Sequence, residues 1–307
     1  MHRSSAAPGL IPYILLGVAG FSWGITFSLA KIAAEAGAHP IGLTFWQAVV
    51  GFVILGTFSL VRRRWPVMNR RSLIRSGLVA LTGTVVPTTL YFYAAIHLSA
   101  GIMSITVAMV PIMTYAASLI IGSDAYQPKR LVGLTLGFTG MVLLVHPDAL
   151  PDRTVLPWLL VAMLCALCYT LENLYVDNRV PPDVDMAGLL TLSMMIALLI
   201  LGSVMLPLNA FTPLSYPFTA LEYAVLGMGL ITSFAYLIFL YLIQTCGAVF
   251  ASMMAYMVTL SGVAWGMLLF GEQHSLMVWV VLLLILLGML LVKPLEHKEQ
   301  DQIDAQR

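Results

Sequence analysis

The sequence predicts an all-α integral membrane protein with ten transmembrane helices, arranged as two inverted five-helix repeats with both termini in the cytoplasm. Three observations support this fold class. The chain of 307 residues is 60% hydrophobic and only 9% charged, its apolar residues form ten long runs, and its two halves share a pattern. A soluble domain carries about 25% charged residues, so a soluble enzyme, a nucleic-acid-binding protein and a disordered chain are excluded.

Each apolar run is long enough to cross the hydrocarbon core of a bilayer, which takes roughly 17–25 residues in a helix. Several connections are very short, and His97 to Ser99 leaves room only for a tight helical hairpin. We therefore place one span in each run, at 11–31, 41–61, 74–96, 100–121, 130–146, 157–177, 187–207, 219–243, 248–270 and 276–293.

The basic residues predict the orientation of the chain. An even number of spans leaves both termini on one side of the membrane. That side carries 13 of the 15 lysines and arginines, and the opposite side carries only Lys31 and Arg153. The positive-inside rule then places both termini in the cytoplasm.

A cluster of arginines lies in the first cytoplasmic loop of this topology. We interpret it as a topology anchor with affinity for anionic lipid headgroups, and a regulatory or partner site is the alternative. The members of the cluster are Arg62, Arg63, Arg64, Arg70 and Arg71.

An internal repeat relates the two halves. Residues 91–145 align with 239–292 at a shift of 147 or 148, which brings Asp124 onto Glu272. Five spans in each half is an odd number, so the second half enters the membrane from the opposite side. Inverted repeats of this kind are typical of secondary transporters, which bind substrate near the midplane between the halves. The predicted units are an N-terminal tail (1–10), a first repeat (11–146), an external linker (147–156), a second repeat (157–293) and a C-terminal tail (294–307).

Several motifs add a family resemblance. They are Trp23-Gly24 in the first span, the segment Ser99–Pro111 in the fourth, and Gly247–Tyr256 followed by Leu269-Phe-Gly-Glu272 in the ninth. In this order and spacing they resemble the EamA type of the drug/metabolite transporter superfamily, along nearly the whole chain. The resemblance implies a multi-pass carrier in a bacterial-type cytoplasmic (inner) membrane, and it favours export of amino acids and metabolites.

Glu172 differs from most of the other acidic residues because it lies inside a predicted span. An ionisable side chain in a membrane is costly, and it marks a functional site by default. We predict a site for a substrate cation or a proton, and the alternative is a structural acid bonded to a neighbouring helix. Tyr169, Glu172 and Asn173 stand at i, i+3 and i+4 and share one helix face. A carboxylate beside tyrosines suits an ammonium group.

Further residues inside the spans are candidates to complete a substrate site. Aromatic faces attract cations where water is excluded, and each buried Trp or Tyr must also find a partner for its N–H or O–H group. Gln47 follows Trp46 where many members of the resembling family have arginine, which removes a positive charge from the second span. The added candidates are Trp23, Trp46, Gln47, Tyr91, Tyr236 and Tyr256.

Two prolines interrupt spans in the first half, Pro87 in the third and Pro111 in the fourth. Proline removes one helical hydrogen bond and allows a kink. A carrier that rocks between two states needs such flexible points, so we predict that both prolines act as hinges.

Other chemistries find no support in the sequence. Cys165 and Cys168 form a C-x-x-C pair inside an apolar run, with no second pair and no nearby histidine, so we predict no metal site and no cofactor. The chain lacks the Walker A and HExxH patterns, and Gly20–Gly24, which fits G-x-S-x-G, lies inside the first apolar run and not at the strand-to-helix turn of a nucleophile elbow. It is therefore not predicted to be an enzyme or to hydrolyse ATP itself.

Together these observations predict a secondary active transporter of a small cationic or zwitterionic metabolite, of amino acid or amine and quaternary ammonium type, that works by alternating access. Glu172 is the predicted substrate counter-charge or proton-coupling site. The alternatives are an exporter of neutral amino acids or other metabolites in which Glu172 is structural, and a channel or non-transporting sensor. The expected partners are a small-molecule substrate and the lipid bilayer, with no nucleic acid, and the chain is a monomer or homodimer.

Overall fold

The computed structural model describes residues 10–124, 126–144 and 153–291. Helices joined by short loops make up this part of the chain, and it contains no strand. The first half holds α1 (Leu10–Glu35), α2 (Pro40–Val61), α3 (Arg70–Val79), a π-helix (Ala80–Val85), α4 (Val86–Ala95), α5 (Ala100–Val107), α6 (Met109–Ile120) and α7 (Pro128–Leu144). The second half holds a 3₁₀ turn (Arg153–Val155), α8 (Leu156–Arg179), α9 (Met186–Met205), α10 (Ala220–Cys246), α11 (Ala248–Ser252), α12 (Met254–Phe270) and α13 (Leu276–Leu291).

Eight helical segments within the described residues are long and apolar enough to cross a membrane. They are α1, α2, Arg70–Ala95, Ala100–Ile120, α8, α9, α10 and Ala248–Phe270. The last helices of the two halves, α7 and α13, have only 17 and 16 residues. The count of ten spans therefore stays a prediction. So does the cytoplasmic location of the termini, because both tails and most of the predicted linker lie outside the described residues.

The packing of the helices repeats when the two halves are exchanged. Helix α1 packs against α10 and α12, and its counterpart α8 packs against α4 and α6. Equivalent helices also pair across the halves, α2 with α9, α5 with α12 and α7 with α13. This packing confirms the predicted all-helical membrane fold of two repeats. An open space remains between the two halves.

Local signals set the ends of several helices. Asn69, Ser99 and Asp185 each accept a hydrogen bond from a backbone N–H in the first turn of the helix that follows. Thr219 opens α10 with a reciprocal capping box. Gly271 ends α12 in the left-handed conformation, with φ of 61°, which glycine adopts without strain.

Both proline-containing spans change their hydrogen-bonding pattern just before the proline. The N–H of Val86, the residue before Pro87, bonds the carbonyl of Leu81, five residues earlier, and the π-helix ends at Val85. In the fourth span Ala108 bonds Ile105, three residues earlier, and separates α5 from α6 ahead of Pro111. Since proline cannot donate an N–H, the turn before it must find another bonding pattern. Whether either point moves as a hinge stays a prediction.

Candidate functional site

A cavity of about 120 Å³ lies between the two halves. About 10–15 Å³ of such space holds one water molecule, so the cavity has room for several waters or a small ligand. Both halves contribute to its walls, through helices that include α1, α2, α4, α8, α10 and α12. Six of the residues predicted for a substrate site line it: Trp23, Gln47, Tyr91, Tyr169, Glu172 and Tyr236.

Glu172 supplies the charge of this cavity. Its side chain is only 1% exposed, and the Tyr236 hydroxyl donates a hydrogen bond to Oε1. The other carboxylate oxygen, Oε2, is buried and bonds to no residue that the structure describes. No lysine, arginine or histidine is among the described residues that line the cavity. An ionised Glu172 therefore has one hydrogen-bond donor and no cation beside it.

The π-helical segment of the third span lies next to the Glu172 carboxylate. Gly83 lies within it, and a Cβ atom at Gly83 would collide with the Tyr236 hydroxyl and with the Glu172 carboxylate. A side chain at position 83 would therefore displace the Tyr236 hydroxyl or the Glu172 carboxylate from the place where they meet beside the π-helix. Short π-helical turns are frequent at functional sites. Sequence reasoning missed Gly83, although a glycine four residues before a proline inside a span was a visible signal.

Aromatic rings form much of the remaining wall. The Trp23 ring lies 6.1 Å from Tyr236 and 5.9 Å from Phe239, measured between centroids, and Phe27 lies 5.2 Å from Tyr91. The buried hydroxyl of Tyr91 has no hydrogen-bond partner among the described residues. The rings thus offer π faces, and Tyr91 offers one open hydrogen-bonding group.

A polar side is added by Gln47 and by hydroxyl residues that sequence reasoning did not single out. Gln47 Nε2 donates to Thr232 Oγ1 at 3.0 Å, and in this amide orientation Oε1 is buried with no partner in the described part of the chain. Thr84 and Thr88 line the cavity from the third span, beside Gly83. Only the three-dimensional packing distinguishes these two threonines from the many other serines and threonines in the apolar spans.

Asn173 and Trp46 lie away from the cavity lining. Asn173 is fully buried, and its Nδ2 faces Thr114 Oγ1 of α6 at 3.5 Å. Successive helical residues are 100° apart, so Asn173 turns toward α6 while Glu172 turns toward the cavity. Trp46 Nε1 donates to the carbonyl of Thr212 at 2.7 Å, which ties α2 to a loop of the second half. The side chain of Tyr256 lies outside the described residues.

Comparison with known proteins decides the family. Residues 10–146 and again residues 156–293 match the profile of the EamA-like transporter family. The chain belongs to the EamA-like transporter family. Its two matches divide the chain as the packing does, and the resemblance stated from the motifs is confirmed.

Two further similarities agree with this assignment. A WAT1-related protein of Arabidopsis thaliana is 22% identical over 141 residues, which are 43% of this chain and 39% of that relative, so less than half of the relative is matched. A solved crystal structure of 17% sequence identity has a TM-score of 0.61 and covers 93% of this chain and 98% of the other. This second likeness shows the fold alone. The chain is a multi-pass membrane protein of a transporter family, and that family is not an enzyme family.

Proposed function

We propose that this transporter is a secondary active carrier that moves a small cationic or zwitterionic metabolite, of amino acid or amine type, by alternating access. The observation that supports the proposal is the buried carboxylate of Glu172 in a cavity between the two repeats. Substrate sites of inverted-repeat transporters lie near the midplane between the repeats. The membrane we propose is a bacterial-type cytoplasmic (inner) membrane.

The electrostatics of the cavity give Glu172 its role in the proposal. An isolated ionised carboxylate is costly to bury, and a fixed cation or good hydrogen bonds normally offset that cost. The described lining residues supply no fixed cation, and the Oε2 atom has no donor among the described residues. A mobile positive charge must then balance an ionised Glu172. That charge is either the substrate, which makes Glu172 a counter-charge, or a proton, which makes it a coupling site.

The aromatic lining supports a cationic or zwitterionic substrate over a neutral one. A cation held against a Tyr or Trp face gains about 0.5–2 kcal/mol, more where water is excluded. The rings of Trp23, Tyr91, Tyr169 and Tyr236 line the same cavity as the carboxylate. An ammonium group therefore meets both kinds of attraction in one place.

The lipid bilayer is a second proposed partner. Arg62 pairs with Asp185, with 3.1 Å between Nη1 and Oδ1, and the other arginines of the cluster are exposed. Exposed basic side chains next to a span attract anionic headgroups. The exposed arginines are Arg63, Arg64, Arg70 and Arg71.

Within the bilayer, the protein is proposed to work as a monomer or homodimer.

Ligand-dependent thermal stabilisation of the purified chain tests the proposal. A ligand that binds only the folded state raises the unfolding temperature. Amines, quaternary ammonium compounds, amino acids, sugars and nucleosides are compared at two pH values on either side of neutrality. The proteins are wild type, Glu172→Gln and the matched control Glu35→Gln, whose carboxylate is 56% exposed near Lys31.

The expected result is stabilisation by cations or zwitterions in wild type and in Glu35→Gln, and its loss in Glu172→Gln. Stabilising ligands then enter a proteoliposome assay, in which saturable and competable uptake is expected of a carrier. Equal binding by Glu172→Gln would make Glu172 structural and favour an exporter of neutral substrates. Uptake that does not saturate would favour a channel.

A further inference from the structure

The cavity has an uneven charge balance. Glu172 is the single acidic residue among the described residues of the lining, and those residues include no basic side chain. A zwitterion carries a carboxylate as well as an ammonium group, and both must be desolvated on binding. The ammonium group has Glu172 as its partner, whereas the carboxylate has no cation to meet and is repelled by Glu172.

Neutral donors compensate only in part for the missing cation, because the Tyr91 hydroxyl is open whereas four other hydroxyls of the lining are committed. Thr26 Oγ1 donates to the carbonyl of Trp23 at 2.6 Å, and Ser233 Oγ donates to Gly229 at 2.6 Å. Ser252 Oγ likewise donates within its own helix at 2.8 Å. The Tyr236 hydroxyl is already committed to Glu172. These four hydroxyl hydrogens are therefore not free to hold a substrate carboxylate.

The open acceptors point to a ligand with N–H groups. Glu172 Oε2 and, in its assigned orientation, Gln47 Oε1 are both buried and without donors in the described part of the chain. A buried acceptor without a donor loses its hydrogen bond to water with nothing in return. A primary or secondary ammonium ion supplies charge-assisted N–H···O bonds to such an oxygen. A quaternary ammonium ion supplies the charge but no N–H, so the oxygen stays unbonded.

We propose that the site selects primary and secondary ammonium ions that carry no carboxylate, and that it discriminates against both quaternary ammonium ions and α-amino acids. The inference rests on the proposed function, because it assumes that the cavity is the substrate site. It narrows that function from cations and zwitterions in general to primary and secondary ammonium ions without a carboxylate. The aromatic rings of the cavity wall then contact the hydrocarbon part of the ligand and one side of its ammonium group.

Two matched ligand series test this selectivity. The first compares butylamine, N-methylbutylamine, butyltrimethylammonium and norvaline, and the second compares phenethylamine, its N-methyl and trimethylammonium derivatives, and phenylalanine. Within each series the butyl or phenethyl group is constant, and each compound differs from the primary amine either in its number of N–H groups or in its carboxylate. Binding is measured by titration calorimetry on the full chain in detergent or nanodiscs.

In each binding series the primary and secondary amines are expected to bind at least about 10-fold more tightly than the quaternary ion and the amino acid, a ratio that one charge-assisted hydrogen bond supplies. Glu172→Gln should abolish this preference. Glu172→Asp keeps the charge and should retain the order of the ligands with weaker binding, and Glu35→Gln should match wild type.

The outcomes separate the inference from the function on which it rests. Equal or tighter binding of the quaternary ions or amino acids, still dependent on Glu172, overturns the selectivity and leaves the carrier proposal standing. If neither series binds, the amine selectivity is overturned. If Glu172→Gln binds the ligands as wild type does, both the selectivity and the proposed role of the cavity are overturned.

Discussion

Two carboxylates, one on α10 and one that faces it, are equally hidden from solvent but differ in their hydrogen bonds. Glu222 at the start of α10 and Glu172, which faces the middle of α10, are each 1% exposed. Glu222 accepts hydrogen bonds from the backbone N–H and hydroxyl of Ser215, at 2.8 and 3.2 Å, and from those of Thr219, at 2.7 and 2.5 Å. Glu172 accepts one, from Tyr236, and its second oxygen has no partner among the described residues.

The difference shows that burial by itself does not identify a functional acid. Buried polar groups in folded proteins are nearly all hydrogen-bonded, and an exception needs an explanation. The Glu222 carboxylate is saturated by its own capping box and loop, so it is explained by the fold. The Glu172 carboxylate is under-satisfied inside a cavity, and the proposed function assigns its open oxygen to a ligand or a proton.

The largest expected effect comes from filling the space that lets Glu172 meet Tyr236. In Gly83→Ala the new Cβ would collide with both groups, so either the pair separates or the third span shifts. Overpacking of this kind costs about 1–3 kcal/mol, and ligand binding at Glu172 should fall together with the unfolding temperature. Thermal unfolding and amine binding are measured on the same preparation.

Gly77→Ala is the matched control for this substitution. Gly77 lies in α3, and a Cβ at that position would meet nothing within 4 Å. Alanine is favoured over glycine inside a helix by about 1 kcal/mol, so Gly77→Ala should be neutral or stabilising and should bind amines as wild type does. Normal binding by Gly83→Ala would mean that the close approach of the third span to Glu172 is not needed for the site.

A smaller effect is expected from removing the saturated carboxylate. Glu222→Ala deprives Ser215 and Thr219 of their acceptor, so the entry to α10 should loosen and the unfolding temperature should drop by about 2–4 °C. Ligand preference should stay that of wild type, because Glu222 does not line the cavity. A changed preference among the amine series would break the distinction between the two acids.

Sequence reasoning identified, for physical reasons, the eight long apolar helices that the structure describes and the acid that lines the cavity. Apolar length identifies a span without any knowledge of its neighbours, and Glu172 is conspicuous because acids are costly in a membrane. Asn173 and Trp46 were harder to place, since helical spacing gives a shared face but not the helix that the face meets. The position of Gly83 four residues before Pro87 was a sequence signal, but its role became clear only once the third span, α8 and α10 were seen together, because it leaves room for side chains of the other half.

Glu272, a third carboxylate, gives the smallest and most pH-dependent effect. It lies between α12 and α13 and accepts hydrogen bonds from the backbone N–H groups of Ala100 and Gly101, at 2.8 and 3.0 Å, where α5 begins. Burial opposes its ionisation, but the His274 side chain, with Nε2 at 3.4 Å from Oε2, and the N–H groups of Gly101 and Ala100 outweigh burial and lower the pKa of Glu272 below its ordinary value of 4.5. Its charge therefore stabilises the attachment between the halves.

A carboxylate with a lowered pKa stabilises the folded state above the ordinary pKa and loses that contribution as pH falls through the folded-state value. Wild type should therefore lose part of its thermal stability below about pH 4.5, the ordinary value for glutamate. Glu272→Gln should start less stable at neutral pH and lose less on acidification, while Glu35→Gln should follow wild type. Such an end contact contributes about 0.3–1 kcal/mol, which makes this the smallest of the three effects. Identical acid profiles for wild type and Glu272→Gln would show that the contact with α5 does not depend on charge, and the separation between saturated and under-satisfied acids would then rest on Glu222 alone.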